Sequence, residues 1–182
     1  MVSILCEKTM TEPTESELAA SIAENMHDGE WAFEVPYNHY GDRGVVDMVQ
    51  DTKPVEGDYN TLRVFELKSD AAVREATGPN EILRQFNRHR EYFIEGTGYN
   101  PLNYDRISFE LTFTTTPFCM NHVKENWLMY ESVEDEQLGR GTEIASSVFA
   151  RPIGYSNPII FRDGEILNTV FAQELGLVGD EE

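Results

Sequence analysis

Charged side chains stand inside two apolar runs that otherwise read as buried strands, and this limits the folds open to the chain. The first run, VVDMVQ (45–50), holds Asp47; the second, TLRVFELK (61–68), holds Glu66 and Lys68. Buried strands avoid charge unless it is paired or binds a metal. Side chains two apart on a strand share a face. Glu66 and Lys68 therefore point one way, while Phe65 and Leu67 point the other way into apolar surroundings. If VVDMV is the neighbouring strand, Asp47 projects toward the same spot. Two carboxylates converging there make a hard, oxygen-rich site of the kind that holds Mg²⁺ through one or two carboxylates plus waters and substrate phosphate. The plainer alternative is an acidic α+β domain in which Glu66 and Lys68 are only an ion pair.

The surrounding pattern supplies elements to carry these residues. Thr11-Glu12-Pro13 opens a helix, and the run after it places Leu18, Ala19, Ile22, Ala23 and Met26 on one stripe, ending at Asp28-Gly29. WAFEVPY (31–37) alternates like a strand, YNHYGDRG (37–44) reads as a loop, and DTKPVEGDYN (51–60) is rich in turn formers. After a short linker, Pro79 opens a second helix with Ile82, Phe86 and Phe93 on its apolar stripe and Leu83 on the flank; Gly96 and Gly98 close it. RISFELTFTTT (106–116) alternates strictly, with Ile107, Phe109, Leu111 and Phe113 on one face. Helix, three strands, helix, strand is thus expected as the core over residues 1–116. Residues 117–182 read as an extension packed on the same domain, with a helical stretch in NHVKENWLMYESVEDEQLG and a hairpin turning at Arg162-Asp163-Gly164.

Both helices offer further candidates. Glu15 falls on the axis of the first helix's apolar stripe, whereas Glu17 and Glu24 fall opposite. An inward acid needs a partner, which a metal would supply; a first-turn acid serving the helix dipole is the alternative. The second helix carries Gln85 and His89 on or beside its buried stripe, and Arg84, Arg88 and Arg90 within seven residues. Those arginines read either as phosphate contacts or as a solvated face paired with Glu81 and Glu91. His27, His39, His89 and His122 show no metal-like spacing and read as core or rim histidines.

Charge bears on what such a site meets. The chain has 33 acids against 14 Lys plus Arg, a net charge of −19, which at ordinary ionic strength repels nucleic acid. In molar salt the Debye length falls to ~3 Å and that repulsion is screened. We therefore expect a halophilic source, archaeal or from an archaeal virus; an ordinary acidic protein or a mimic of DNA's charge is the alternative. Two cysteines, Cys6 and Cys119, cannot form a cysteine-rich metal centre alone. No apolar run crosses a bilayer and MVSILCEKTMTE lacks a signal-peptide pattern, so a cytoplasmic protein with no membrane partner is expected.

An acid on one strand, Glu-x-Lys on the next, a helix acid before them and a Gln-bearing helix after them resembles the PD-(D/E)XK nuclease superfamily. Within it the pattern is closest to archaeal Holliday-junction resolvases and RecB-like or restriction-type nucleases. The resemblance implies a restriction-endonuclease-like α+β sandwich and a Mg²⁺- or Mn²⁺-dependent DNA nuclease. Asp47, Glu66 and Glu15 would be metal ligands, Lys68 the catalytic lysine and Gln85 the helix glutamine, with Arg84, Arg88 and Arg90 toward DNA. It implies a homodimer where two strands are cut. Val46 precedes Asp47 where many relatives have proline, and two cysteines exclude the iron–sulfur subgroup. A catalytically silent DNA-binding or assembly protein keeping this fold is the rival reading.

Overall fold

The computed structural model describes residues 11–26, 29–52, 60–95, 103–134, 136–138 and 141–179. Cys6, His27, Asp28, most of the 51–60 connection and the Gly96 and Gly98 stop fall outside these residues. The chain runs through α1 (Glu15–Asn25), β1 (Glu30–His39), β2 (Asp42–Thr52), β3 (Thr61–Lys68), α2 (Asp70–Glu75), α3 (Pro79–Ile94) and β4 (Arg106–Thr114). It continues through α4 (Pro117–Glu125), α5 (Trp127–Tyr130), a 3₁₀ turn (Glu131–Val133), β5 (Glu136–Leu138), β6 (Glu143–Arg151), β7 (Ile159–Arg162), β8 (Glu165–Ile166) and α6 (Thr169–Glu174).

The strands form one mixed sheet in the order β1-β2-β3-β4-β6-β7-β8, with β5 also on β6. β3, β4 and β6 are parallel, and the other pairs are antiparallel. Parallel strands are covered on both faces, and β4 is buried almost throughout. Ile107, Phe109, Leu111 and Phe113 share one face, as their alternation predicts, and pack with Ile82, Phe86 and Phe93 of α3. On the other side of the sheet, Leu18 and Ile22 of α1 cover Met48, Phe65 and Leu67.

α1 begins where its capping chemistry dictates. The Glu17 backbone N–H donates to Thr14 Oγ1 at 3.1 Å, and Glu17 Oε2 accepts from the Thr14 backbone N–H at 2.7 Å. The predicted loop 37–44 is instead a continuous hairpin. His39 pairs with Asp42 around a two-residue turn in which Tyr40 (φ 50°) and Gly41 (φ 88°) both adopt left-handed φ. The expected hairpin turn at Asp163-Gly164 is present between β7 and β8, with φ of 52° and 78°.

The expected helical stretch over 121–139 gives way at its end to β5, where Glu136–Leu138 pairs with β6, and α2, β6 and α6 have no counterpart in the sequence reading. α2 lies in what read as a linker, capped by Ser69, whose hydroxyl accepts from the Ala72 N–H at 3.3 Å. β6 arises from the stretch after residue 116 and takes an interior place beside β4. Arg151 at its end grips Glu110 of β4 with two guanidinium contacts, Nε–Oε1 at 2.5 Å and Nη2–Oε2 at 2.8 Å, and both residues are buried. The ends of β3 and β4 are tied by Asp70, whose Oδ1 accepts from Thr114 at 3.2 Å, from the Thr116 hydroxyl and from the Cys119 thiol at 3.1 Å. This network lies immediately beyond Lys68.

Candidate active site

The β2–β3 ladder runs from Thr52↔Thr61 to Met48↔Phe65 and stops. The next rung would set Asp47 against Glu66. There the Leu67 backbone N–H donates to Asp47 Oδ2 at 2.6 Å, so a side chain takes over from the backbone ladder. The β1–β2 ladder breaks at the same place. Phe33↔Met48 and Val35↔Val46 pair, but Glu34 between them has φ 49° and does not pair with Asp47. A non-glycine residue in this region is strained, and such strain clusters at functional sites. Asp47 thus sits at a defect shared by both ladders, half-buried and free of regular pairing on either side.

Glu66 and Lys68 share the face that α3 covers, as the two-residue period requires. Lys68 Nζ lies 2.7 Å from Glu66 Oε1 and donates to Gln85 Oε1 at 3.2 Å. Glu66 Oε2 lies 2.8 Å from His89 Nδ1. Glu66, Lys68 and His89 are all buried, with Gln85 half-buried at their edge. Glu15 of α1 and Asp47 line one cleft together with Ser16, Ala19, Ala20, Phe33, Glu34 and Leu67. The structure therefore gathers Glu15, Asp47, Glu66, Lys68 and Gln85 around the end of β3.

Electrostatics differ sharply among these neighbours. Burial and the Glu66 charge push the Asp47 carboxyl up to about 8, and the Leu67 N–H and Lys68 only partly oppose this. Burial also raises Glu15, against the pull of Lys68 and the Ser69 backbone. Burial alone would raise Glu66, but the His89 ring and Lys68 outweigh it and hold that carboxyl below its ordinary range. Burial alone would lower Lys68, but Glu66 outweighs it and keeps the ammonium charged. The site is an ionised Glu66–Lys68 pair with two further acids held uncomfortably beside it. Like charges that raise each other's protonation are what a bound cation relieves.

The three arginines do not act as one face. Arg84 and Arg88, one helical turn apart, line a surface groove with Asn80, Leu83, Asn87, Glu91 and Asp42. Arg88 reaches Asp42 at 3.1 Å across to β2. Arg90 lies two residues on, 200° around the helix, with its guanidinium 6.0 Å from the Phe109 ring. Of the histidines, His39 pairs with Glu95 at 2.9 Å and His122 meets the Tyr130 hydroxyl at 2.6 Å. His89 is core, one of its two expected placements, with its ring Nδ1 2.8 Å from Glu66 Oε2. The signal available was its position four after Gln85 on a buried stripe.

The donor set suits a hard divalent cation. Glu15 Oε1 is buried with no hydrogen-bond partner, and Asp47 carries a carboxyl that a cation would restore to its ionised form. Among the described residues, no three His, Cys, Asp or Glu side chains stand close enough in this arrangement to enclose an ion.

A sequence model for one family, described as a PD-(D/E)XK nuclease superfamily domain, matches residues 14–151. No curated protein and no solved structure matches the chain.

Proposed function

Because the chain belongs to the PD-(D/E)XK nuclease superfamily and has its restriction-endonuclease-like α+β fold, we propose that it is a divalent-metal-dependent deoxyribonuclease. The observation that carries this reading is the Lys68–Glu66 pair at the end of β3, set beside Asp47 at the break in both ladders. All three lie inside the matched span.

Asp47, Glu66 and Glu15 would hold Mg²⁺ or Mn²⁺. When bound, such an ion lowers the pKa of water and neutralises charge developing on a phosphodiester. Lys68 steadies the attacking water and the charge of the transition state from its place against Glu66. Gln85 keeps the ammonium aimed by accepting from Nζ. Asp47 is held at the required spot by the Leu67 N–H, which also fixes which oxygen remains open to the cleft. Arg84 and Arg88 give the groove on α3 two cations for DNA phosphates.

The net charge of −19 fits work in a high-salt cytoplasm, where its repulsion of DNA is screened. Counterion release contributes little affinity there, so local arginine contacts and metal bridging carry the binding. Among the described residues no helix is long and apolar enough to cross a membrane. A homodimer would let two such sites cut both strands of one substrate.

The test is cleavage by wild type and Lys68→Ala in molar KCl with Mg²⁺ or Mn²⁺, on labelled linear, single-stranded, flapped and four-way DNA. Metal-dependent cutting that Lys68→Ala abolishes is expected. Wild-type protein that is folded in that salt, retains DNA and cuts nothing would replace this reading with a silent DNA-binding role.

A further inference from the structure

Two polar atoms in the site are buried, close together and poorly satisfied by each other. The side chains of Glu66 and His89 are 2% and 3% exposed, and Glu66 Oε2 and His89 Nδ1 lie 2.8 Å apart. Yet neither atom has an aligned hydrogen-bond partner, although the two stand at ion-pair distance. Lys68 does not compensate for this, since its ammonium sits on the opposite oxygen, Oε1. Leaving such groups buried and unpaired is costly. Two buried polar atoms that stand side by side without an aligned hydrogen bond can share a third atom. The spacing agrees: adjacent ligands of an octahedral ion with bonds of about 2.1 Å stand about 3 Å apart. The ring is also held in place, with Tyr37 packed edge-on at 5.3 Å.

We propose that His89 is a nitrogen ligand of the site's divalent ion, bound through Nδ1 beside Glu66 Oε2. This rests on the metal-dependent reading above and makes the centre a mixed oxygen and nitrogen site. Glu66 keeps Lys68 on Oε1 while offering Oε2, so the ion pair and the ligand role coexist on one carboxylate. Water fills the remaining positions, as it does for divalent ions held by few protein ligands. Carboxylates accept Mg²⁺ and Mn²⁺ alike, whereas imidazole favours transition metals. The consequence is a preference for Mn²⁺ over Mg²⁺ that depends on His89.

The test uses the whole chain, stripped of metal and titrated with Mn²⁺ or Mg²⁺ by calorimetry. Electron spin-echo spectra of the Mn²⁺ form are recorded with natural-abundance and ¹⁵N-histidine protein. We expect a directly bound histidine nitrogen in wild type that switches isotope pattern on labelling. His89→Gln should lose that coupling and bind Mn²⁺ about tenfold or more weakly, with Mg²⁺ affinity changed far less. Asp47→Asn should lose the bound Mn²⁺, which assigns the signal to this site. The spectra of wild type serve alone if His89→Gln does not fold. Mn²⁺ binding that Asp47→Asn removes, but without nitrogen coupling, overturns the role of His89 and leaves the metal-dependent reading standing. Wild type that binds neither Mn²⁺ nor Mg²⁺ overturns both.

Discussion

Asp47→Asn removes one titratable carboxyl and almost nothing else, which makes it the sharpest probe of this site. The amide oxygen can still accept from the Leu67 N–H that Asp47 Oδ2 accepts now at 2.6 Å. In metal-free protein, burial and Glu66 push the Asp47 carboxyl from 3.8 up to about 8. The folded state therefore keeps a proton that the unfolded chain has already lost across this window. Stability falls as pH rises from about 4 to about 8 and the penalty saturates above that. At pH 7 the penalty is at most about 4 kcal/mol, from about 1.4 kcal/mol for each tenfold change in proton affinity. We expect Asp47→Asn to be more stable than wild type by about 2–4 kcal/mol at pH 7 in EDTA, and nearly equal to it at pH 4. The assay is urea unfolding at several pH values and fixed salt, with the difference between the two proteins plotted against pH so that all other titrations cancel. Saturating Mg²⁺ or Mn²⁺ should reverse the order, since only wild type gains by binding. A difference that stays flat with pH, or a variant less stable than wild type at pH 8.5 without metal, would refute the reasoning.

Three further outcomes follow from separate features. Gly44→Ala puts a Cβ 2.3 Å from the hydroxyl of Tyr37, a buried ring that also braces His89. A loss of about 1–3 kcal/mol is expected from this overpacking, and an unchanged melting temperature would show that Tyr37 moves aside freely. Arg84→Ala with Arg88→Ala should weaken DNA binding and lower the slope of log affinity against log salt by about 1–2; anisotropy titrations across a salt series measure it, and an unchanged slope removes the α3 groove from the interface. Cys119 is fully buried with its thiol pushed up to about 12. It should resist alkylation at pH 8 in folded protein and react on unfolding, and rapid labelling mapped to Cys119 itself in the folded chain, apart from Cys6, would contradict its placement.

Periodicity carried the sequence reading furthest where one face is buried and one rule applies. β3 spans the eight residues of TLRVFELK, and Glu66 meets Lys68 because a two-residue period leaves no other choice. α3 starts at Pro79 and buries Ile82, Phe86 and Phe93 for the same kind of reason. The position of Asp47 was readable only as a condition on strand pairing. The left-handed φ at Glu34 that frees it is a tertiary compromise with no signature in WAFEVPY. Tyr40 in a tight turn was equally hidden, since that turn favours Asn or Gly. β6 escaped because EIASSVFAR interrupts its apolar alternation with two serines and ends on an arginine. That arginine makes sense only with Glu110 in view. α2 has six residues, too few to show a helical stripe.

The Glu110–Arg151 clasp sets an order of events for a chain being made from its N-terminus. Glu15 through His89 are all synthesised early, and β4 follows with Glu110 on its inward face. Until residues 143–151 emerge, β4 has an open edge and Glu110 lacks its counter-ion. A nascent chain thus holds every candidate catalytic side chain while lacking the strand that covers the edge of β4. The sheet that carries the candidate site is therefore completed only after all of that site's residues have been made.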